Sequence, residues 1–231
     1  MLHKPSISII IPVLNEIKII DNLVSRFKIL PQNILEVIAV DGGSKDGTLE
    51  AISKSKNLKV VESEKGRAKQ MNAGAAVAKG DIFYFMHVDT VLPKDFDKEI
   101  IKHFKSGYLA GCFRMKFDSD HLLLQVSQWF TRLNFSLCRG GDQSLYINKS
   151  LFWELGGYNE DFMIYEDNDL TNRIYKKTTF NVMPNYVITS ARKYEEIGFW
   201  KLQYHFARVH LLKLLGAKPN QLYNYYKKNI A

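Results

Sequence analysis

The sequence predicts an α/β protein: a doubly wound, mostly parallel sheet with helices on both faces. Three observations predict it. Over the first ninety residues, short apolar runs alternate four times with stripes of apolar residues at helical spacing. The runs are near-continuously apolar rather than alternating, as expected of strands buried on both faces. Each run also ends in a segment carrying charged groups (12–16, 41–44, 62–67 and 87–89), and in such sheets ligands collect beyond the carboxyl ends of the strands.

In order along the chain, Ser6 to Ile11 is the first strand, stopped by Pro12. Ile17, Ile20, Val24 and Phe27 then make a helical stripe. Glu36 to Val40 is the second strand, ended by DGGSKDGT. A short helix holds Ala51 and Ile52, and Leu58 to Val61 is the third strand. Ala68, Met71, Ala75 and Ala78 repeat the helical spacing, and Ile82 to Met86 is the fourth strand. The second half is less regular. Leu109 to Phe117 alternates loosely as a strand, and Leu122, Val126, Trp129, Leu133 and Leu137 mark one helix. RGGDQS reads as a loop, Leu145 to Ile147 as a short strand, and Glu166 to Lys177 as a helix. A last helix spans Phe199 to Leu215, with Phe199, Leu202, Phe206, Val209 and Leu212 on one face. With no Pro/Gly/Ser-rich linker between them, the two halves are expected to share one core.

Composition narrows the partners. The 231 residues suit one large domain, and 46% hydrophobic with 24% charged residues is ordinary for a soluble globular chain. A net charge of +8 points to anionic partners: nucleotide phosphates, anionic lipid heads or nucleic acid. Nucleic acid is not expected, because the basic residues are not interleaved with a recognisable binding module. Cys112 and Cys138 have no CxxC partner, so a reducing, cytoplasmic setting is the default. The start, MLHKPSISIIIP, is too short in its apolar part for a signal peptide, and no run is long enough to span a bilayer.

Several strand ends carry residues with two readings. In PVLNE, Asn15 is a natural helix N-cap and Glu16 a favourable first-turn acid. In VDGGSKDGT, Asp41 at the strand tip can accept hydrogen bonds from a bound base while the glycines turn the chain away; the plain alternative is a glycine-rich turn with Thr48 as a cap. Arg67 opens a helix after Gly66, where an arginine can meet a diphosphate or pair with the base-binding aspartate. In FMHVDT, strand alternation lets His87 and Asp89 face one side beyond the strand, a place for a hard divalent cation shared with substrate phosphates. Histidine there suits Mn²⁺ better than Mg²⁺. YEDNDL reads either as ordinary N-terminal helix electrostatics or as a site for a catalytic acid.

Taken in order, SIIIPVLNE, VIAVDGGSKDGT, KGRAKQMNAGAAVAKGD, FMHVDT, GDQ and YEDNDL resemble the inverting, family 2 glycosyltransferases of the GT-A fold, over Ser6 to about Arg192. ESEKGRAKQMN, HVDT and TSARK are similar to a small bacterial subgroup associated with selenium or radical-enzyme (radical-SAM) gene neighbourhoods. The resemblance implies that Pro12 and Glu16 line a nucleotide pocket, Asp41 contacts the base, and Arg67 sits near base or diphosphate. His87-Val88-Asp89 stands at the D-x-D position, with Asp89 the metal-binding carboxylate and Mn²⁺ or Mg²⁺ the cofactor. Asp167 would be the catalytic base, while Glu166, Asp142 and Gln143 would face donor sugar or acceptor. Three departures stand out. His87 replaces the usual first aspartate, Gly42 replaces a frequent second acid, and the Q-x-x-R-W motif of processive synthases is absent, so single-sugar transfer is favoured.

These readings imply a nucleotide-diphospho-sugar donor and an acceptor the sequence does not name. Two rivals remain: a degenerate GT-A subunit that only binds nucleotide or lipid, and a sugar-1-phosphate nucleotidyltransferase. The latter would want a glycine-rich phosphate loop, which PVLNEIKI lacks. Residues 1–192 are expected to form the GT-A domain. The basic aromatic tail, 193–231, holds seven Lys/Arg against two Glu. It can pack on the domain, pair with a second copy in a homodimer, or lie peripherally on the inner face of an anionic membrane, where a lipid-linked acceptor would fit. Arg192, His205 and His210 are not counted as site residues.

Overall fold

A computed structural model describes residues 4–230. The first three residues of the N-terminal stretch and Ala231 at the end of the tail lie outside the described residues. The first half runs β1 (Ile7–Val13), α1 (Ile17–Arg26), β2 (Ile34–Asp41), α2 (Thr48–Ser53), β3 (Leu58–Glu62), α3 (Arg67–Val77), β4 (Ile82–Phe85) and α4 (Phe96–Lys105). The second half runs β5 (Ala110–Phe117), α5 (Leu122–Phe130), β6 (Leu145–Asn148), α6 (Lys149–Glu154), α7 (Glu166–Lys177), β7 (Phe180–Thr189), α8 (Arg192–Ile197), α9 (Phe199–Leu214) and α10 (Pro219–Asn229).

The seven strands form one sheet, in the order β3-β2-β1-β4-β6-β5-β7. β6 alone runs antiparallel to its neighbours, so the carboxyl ends of β1 to β4 share one rim with the amino end of β6. One core, with Ile9, Ile11, Leu23, Phe27 and Ile100, lies on one face of the sheet. A second, with Ile10, Val40, Met71, Phe152 and Ile174, lies on the other. This is the expected α/β/α sandwich.

Several elements depart from the sequence reading. β1 runs through Pro12 to Val13 rather than stopping. The Ile10 carbonyl accepts from Met86 N–H on the β4 side, and two residues on Pro12 faces that side where β4 has ended. A proline there costs no ladder hydrogen bond. The core seam of α1 is Ile20, Leu23 and Phe27, with Ile17 39% exposed. Glu16, not Asn15, takes the N-cap position of α1, and Thr48 is the first residue of α2 rather than its cap. β7 is hidden in the sequence by Pro184: its register with β5 slips between Phe113 and Arg114, where Pro184 and Asn185 bulge.

The largest departure is the helix expected over 122–137. α5 ends at Phe130, and only Leu124 of it is buried. Its polar side chains do the docking. β6 pairs with β5 only at Ala110 and Gly111, which leaves later β5 amides open. Thr131 Oγ1 accepts from Met115 N–H at 3.2 Å and Gln128 Oε1 from Phe117 N–H at 3.1 Å. Unpaired buried amides are costly, so this edge is closed by side chains and the apolar stripe turns outward.

Candidate active site

The rim divides into two halves. On the first, the tips of β1 and β2 are tied together. Gly42 N–H donates to Val13 O at 3.0 Å, and Gln70 Nε2 donates to both Val13 O and Val40 O at 2.8 Å. A Cβ at Gly42 would lie 2.9 Å from Gln70 Cδ, which explains glycine where a second acid was the expectation. Asp41 is 1% exposed. Its Oδ2 accepts from the Gly43 and Ser44 N–H groups at 2.8 and 2.9 Å, while its Oδ1 is buried with no partner among the described residues. An orphan acceptor of this kind costs about 1–3 kcal/mol, which a ligand N–H can recover.

Asn15 joins this half differently from a cap. Its N–H donates to Ser44 Oγ at 2.9 Å, and its Oδ1 accepts from Lys45 N–H at 2.9 Å. Glu16 N–H donates to Thr48 Oγ1 at 2.8 Å. These bonds lock the two strand-end loops together, with Pro12 half-buried beneath them. Burial lifts the Glu16 carboxyl above its usual range, against the pull of Arg192; Asp89 and Asp46 add to the rise.

The second half depends on β6. Because Leu145 pairs with Phe85, the loop before β6 arrives beside His87. That loop is a single 3-10 turn, Gly141–Gln143, left by Ser144 at φ 62°. Gln143 is 3% exposed and its amide is spent inside the loop: Nε2 donates to Cys138 O at 2.9 Å, and Oε1 accepts from Cys112 Sγ at 3.4 Å. Asp142 is the exposed member and takes the His87 Nδ1–H at 3.1 Å. Against desolvation, this hydrogen bond raises the imidazole and lowers the Asp142 carboxyl.

Asp167 lies in the first turn of α7, directly against this loop. A Cβ on Gly141 would fall 2.1 Å from Asp167 Oδ2 and 3.1 Å from His87 Cε1, so only glycine lets the carboxylate come this close. Asn168 Nδ2 donates to Arg139 O at 2.9 Å and fastens α7 to the loop. Burial raises the Asp167 carboxyl; His87 and Arg67 moderate the rise. Glu166 is 2% exposed, and burial together with Asp167 pushes it to about 7. Its charged neighbour is Arg67, with Nη1 3.8 Å from Glu166 Oε1. Arg67 thus pairs with Glu166, not with Asp41 as one expectation had it.

His87 and Asp89 keep different company. Alternation does not carry past Phe85, because Thr90 N–H closes a turn on His87 O at 3.2 Å. His87 feels Asp142, Asp167 and Arg67, whereas the Asp89 charge is felt by Glu16 and Arg26. No group of three or more His, Cys, Asp and Glu gathers for a metal ion among the described residues. The donor set suits a cation that draws most of its ligands from elsewhere. Asp89 makes no side-chain hydrogen bond or ion pair among the described residues, and a carboxylate beside diphosphate oxygens is a hard-cation site. His87, with Nδ1 taken by Asp142, has only Nε2 to offer.

The residues missed from sequence are Gln70, Gly141 and the Arg139–Asn168 tether. Only the glycine doublet before Asp142 could have signalled one of them. His205 bonds Tyr225 Oη through Nδ1 at 2.8 Å, and His210 packs edge-on to Tyr165, so neither joins the rim. A cavity of about 20 Å³ beneath His87, Gly141 and Asp167 is too small for a sugar.

This rim lies at the carboxyl ends of β1 to β4 in a doubly wound sheet of GT-A architecture, the place where such folds take their ligands. Residues 8–184 match the sequence model of Glycosyl transferase family 2, and the chain belongs to that family. Among solved structures, it is similar to the mannosyltransferase PcManGT from Pyrobaculum calidifontis, in complex with GDP-Man and Mn²⁺. The TM-score is 0.69 at 20% identity, over 99% of this chain and 69% of that one. It is also similar to S. aureus TarS 1–349 in complex with UDP, with a TM-score of 0.64 at 19% identity over 80% of this chain. A third likeness is the same TarS fragment with UDP-GlcNAc, at 0.64 and 20% over 81% of this chain. The chain spans 60% and 59% of those two TarS chains. No curated protein matches it.

Proposed function

We propose that the protein transfers one sugar from a nucleotide-diphospho-sugar to an acceptor hydroxyl, with inversion, and with Asp167 as the base. The observation that carries this reading is the contact of the Asp167 carboxylate with the Gly141 loop, at the rim where Asp41 presents its unpartnered oxygen. Asp41 Oδ1 accepts an N–H of the base, and Pro12 and Glu16 line that pocket. Arg67 faces the diphosphate side, held by Glu166. Asp142 flanks the sugar, oriented by His87, and Gln143 acts one step back by shaping the loop.

An acceptor hydroxyl is a weak nucleophile, so a carboxylate must take its proton during attack. A helix N-terminus alone would leave Asp167 too acidic for that work. Burial opposes this and raises the carboxyl, which is the direction a base needs. Mn²⁺ or Mg²⁺ would be held by Asp89, with His87 at hand, and would supply charge stabilisation for the departing diphosphate. The complexes of the structural neighbours with GDP-Man, Mn²⁺ and UDP-GlcNAc support this choice of donor and cation. The likeness to the selenium- and radical-SAM-associated subgroup adds no substrate.

The test is a melting-temperature screen of UDP-, GDP- and dTDP-sugars with Mg²⁺ and with Mn²⁺, followed by donor turnover. A true donor raises the melting temperature by mass action and is consumed only with an acceptor or water. A donor that binds but is never turned over across a broad acceptor panel would leave a binding subunit instead.

A further inference from the structure

Helix α9 is apolar on two faces, and the chain covers only one. Leu202 and Val209 are buried, and Val209 packs with Phe162 and Leu222 of α10. This is the packing expected of a tail on its own domain. The opposite stripe carries Trp200, Tyr204, Leu211, Leu214 and Leu215, at 72, 62, 43, 81 and 74% exposure. Their spacing of four, seven, three and one places them along a single side of the helix. Beside it, α5 turns Leu122, Val126, Trp129 and Phe130 outward, and Gln203 Nε2 meets Ser127 Oγ at 3.4 Å to hold the two helices together. Phe135 and Leu137, which follow α5 in the chain, are also 65 and 71% exposed. Scattered exposed apolar residues are normal; contiguous aromatic and aliphatic stripes mark a docking surface.

Charge says what covers it. From Phe199 to Ile230 the chain has six Lys/Arg and no Asp or Glu; from Leu122 to Arg139 it has two Arg and again no acid. Lys201, Arg208, Lys218, Lys227 and Lys228 are exposed. A two-fold pairing through this face would bring the exposed Lys201 and Arg208 of one copy toward like charges of the other. Among the described residues no helix is long and apolar enough to cross a membrane. An apolar stripe with Trp and Leu, beside the exposed Arg132, Lys201 and Arg208 and with acids (Asp118, Asp120, Glu195, Glu196) only in the segments before the two helices, matches a helix lying in the interface of an anionic bilayer. We propose that α5 and α9 together dock the protein on an anionic lipid surface, with the apolar stripes inserted and the cations at the headgroups.

This proposal is independent of the transferase reading. The test is sedimentation of the full chain with phosphatidylcholine vesicles, with and without phosphatidylglycerol, and tryptophan fluorescence of the bound form. Two of the three tryptophans, Trp129 and Trp200, lie in the surface, so binding blue-shifts the emission. The triple variant Trp200→Ser, Leu214→Ser, Leu215→Ser keeps the charge and touches only exposed positions. It lowers partition into anionic vesicles by about tenfold or more with the melting temperature unchanged. Failure to bind anionic vesicles overturns the proposal. So does equal binding by the variant, which would leave simple electrostatic adhesion, or a dimer by light scattering that the variant dissociates, which would make the face a subunit interface.

Discussion

Asp41 and Asp167 stand on the same rim and are held in opposite ways. Asp41 ends a strand inside the parallel half, and two backbone amides of the next residues fix its Oδ2. Its position is written in the local chain. Asp167 begins a helix in the mixed half, and what fixes it is a glycine twenty-six residues earlier, a loop delivered by an antiparallel strand, and an asparagine tether. The first half of the rim is rigid because its backbone is short and bonded to itself. The second is exact only while several distant segments agree, so substitutions there should cost function more than stability.

The sharpest break of this contrast is Asp167→Asn. It removes the proton acceptor and keeps the shape, so turnover should fall by about a thousandfold or more while nucleotide affinity, read by calorimetry, stays unchanged. Normal turnover would remove Asp167 as the base. Next comes Gly141→Ala. The clash is with the free end of a side chain, so the carboxylate moves rather than the fold. Turnover should drop by about a hundredfold with the melting temperature within about 2 °C of the parent. An equal loss of both would show a loop held by packing, not by the carboxylate.

On the other half, Asp41→Asn should act on binding. Its amide keeps the strand-tip shape, but an N–H₂ replacing the unpartnered oxygen repels the donor's N–H. Donor affinity should weaken by roughly tenfold to a hundredfold, with saturated turnover little altered. The smallest effect is on pH dependence. Glu166 is raised to about 7, so the folded protein holds its proton more tightly than the unfolded chain does. The stability this brings is fully present below the ordinary carboxylate range and is lost as pH rises through about 7. Glu166→Gln removes that loss. The melting temperature of the variant relative to the parent should therefore climb by a few degrees between about pH 5 and about pH 8. A parallel pair of curves would mean that Glu166 is ionised throughout.

The strands of the parallel half were legible as short apolar runs, the fourth of them rich in aromatics, each closed by its own turn chemistry, and α1 and α3 show a period that the core uses, whereas α4 was not read from the sequence. Val24 and Phe27 mark α1 correctly as a helix even though Leu23 carries the seam. In the mixed half, periodicity misled. The stripe Leu122, Val126, Trp129 has the spacing of a core helix, yet Thr131 and Gln128 bond the open edge of β5 and turn the stripe to the outside. Pro184 hid β7, since a proline within a run argues against a strand unless a bulge accommodates it. Gln143 belonged to a loop motif, and nothing local says that its amide is consumed by Cys138 and Cys112.

The sequence alone determined the sheet class, the succession of its first four strands along the chain and the chemical character of each strand end, because these follow from apolar period and turn residues within a few positions. Only the tertiary structure decided which charges meet. It set Arg67 against Glu166, His87 against Asp142 and Asp167 against a bare glycine, and it left one face of α9 and α5 uncovered. Partners of this kind are chosen by strand order and register, and the reversed β6 brings residues fifty-five positions apart in the chain within a hydrogen bond of each other.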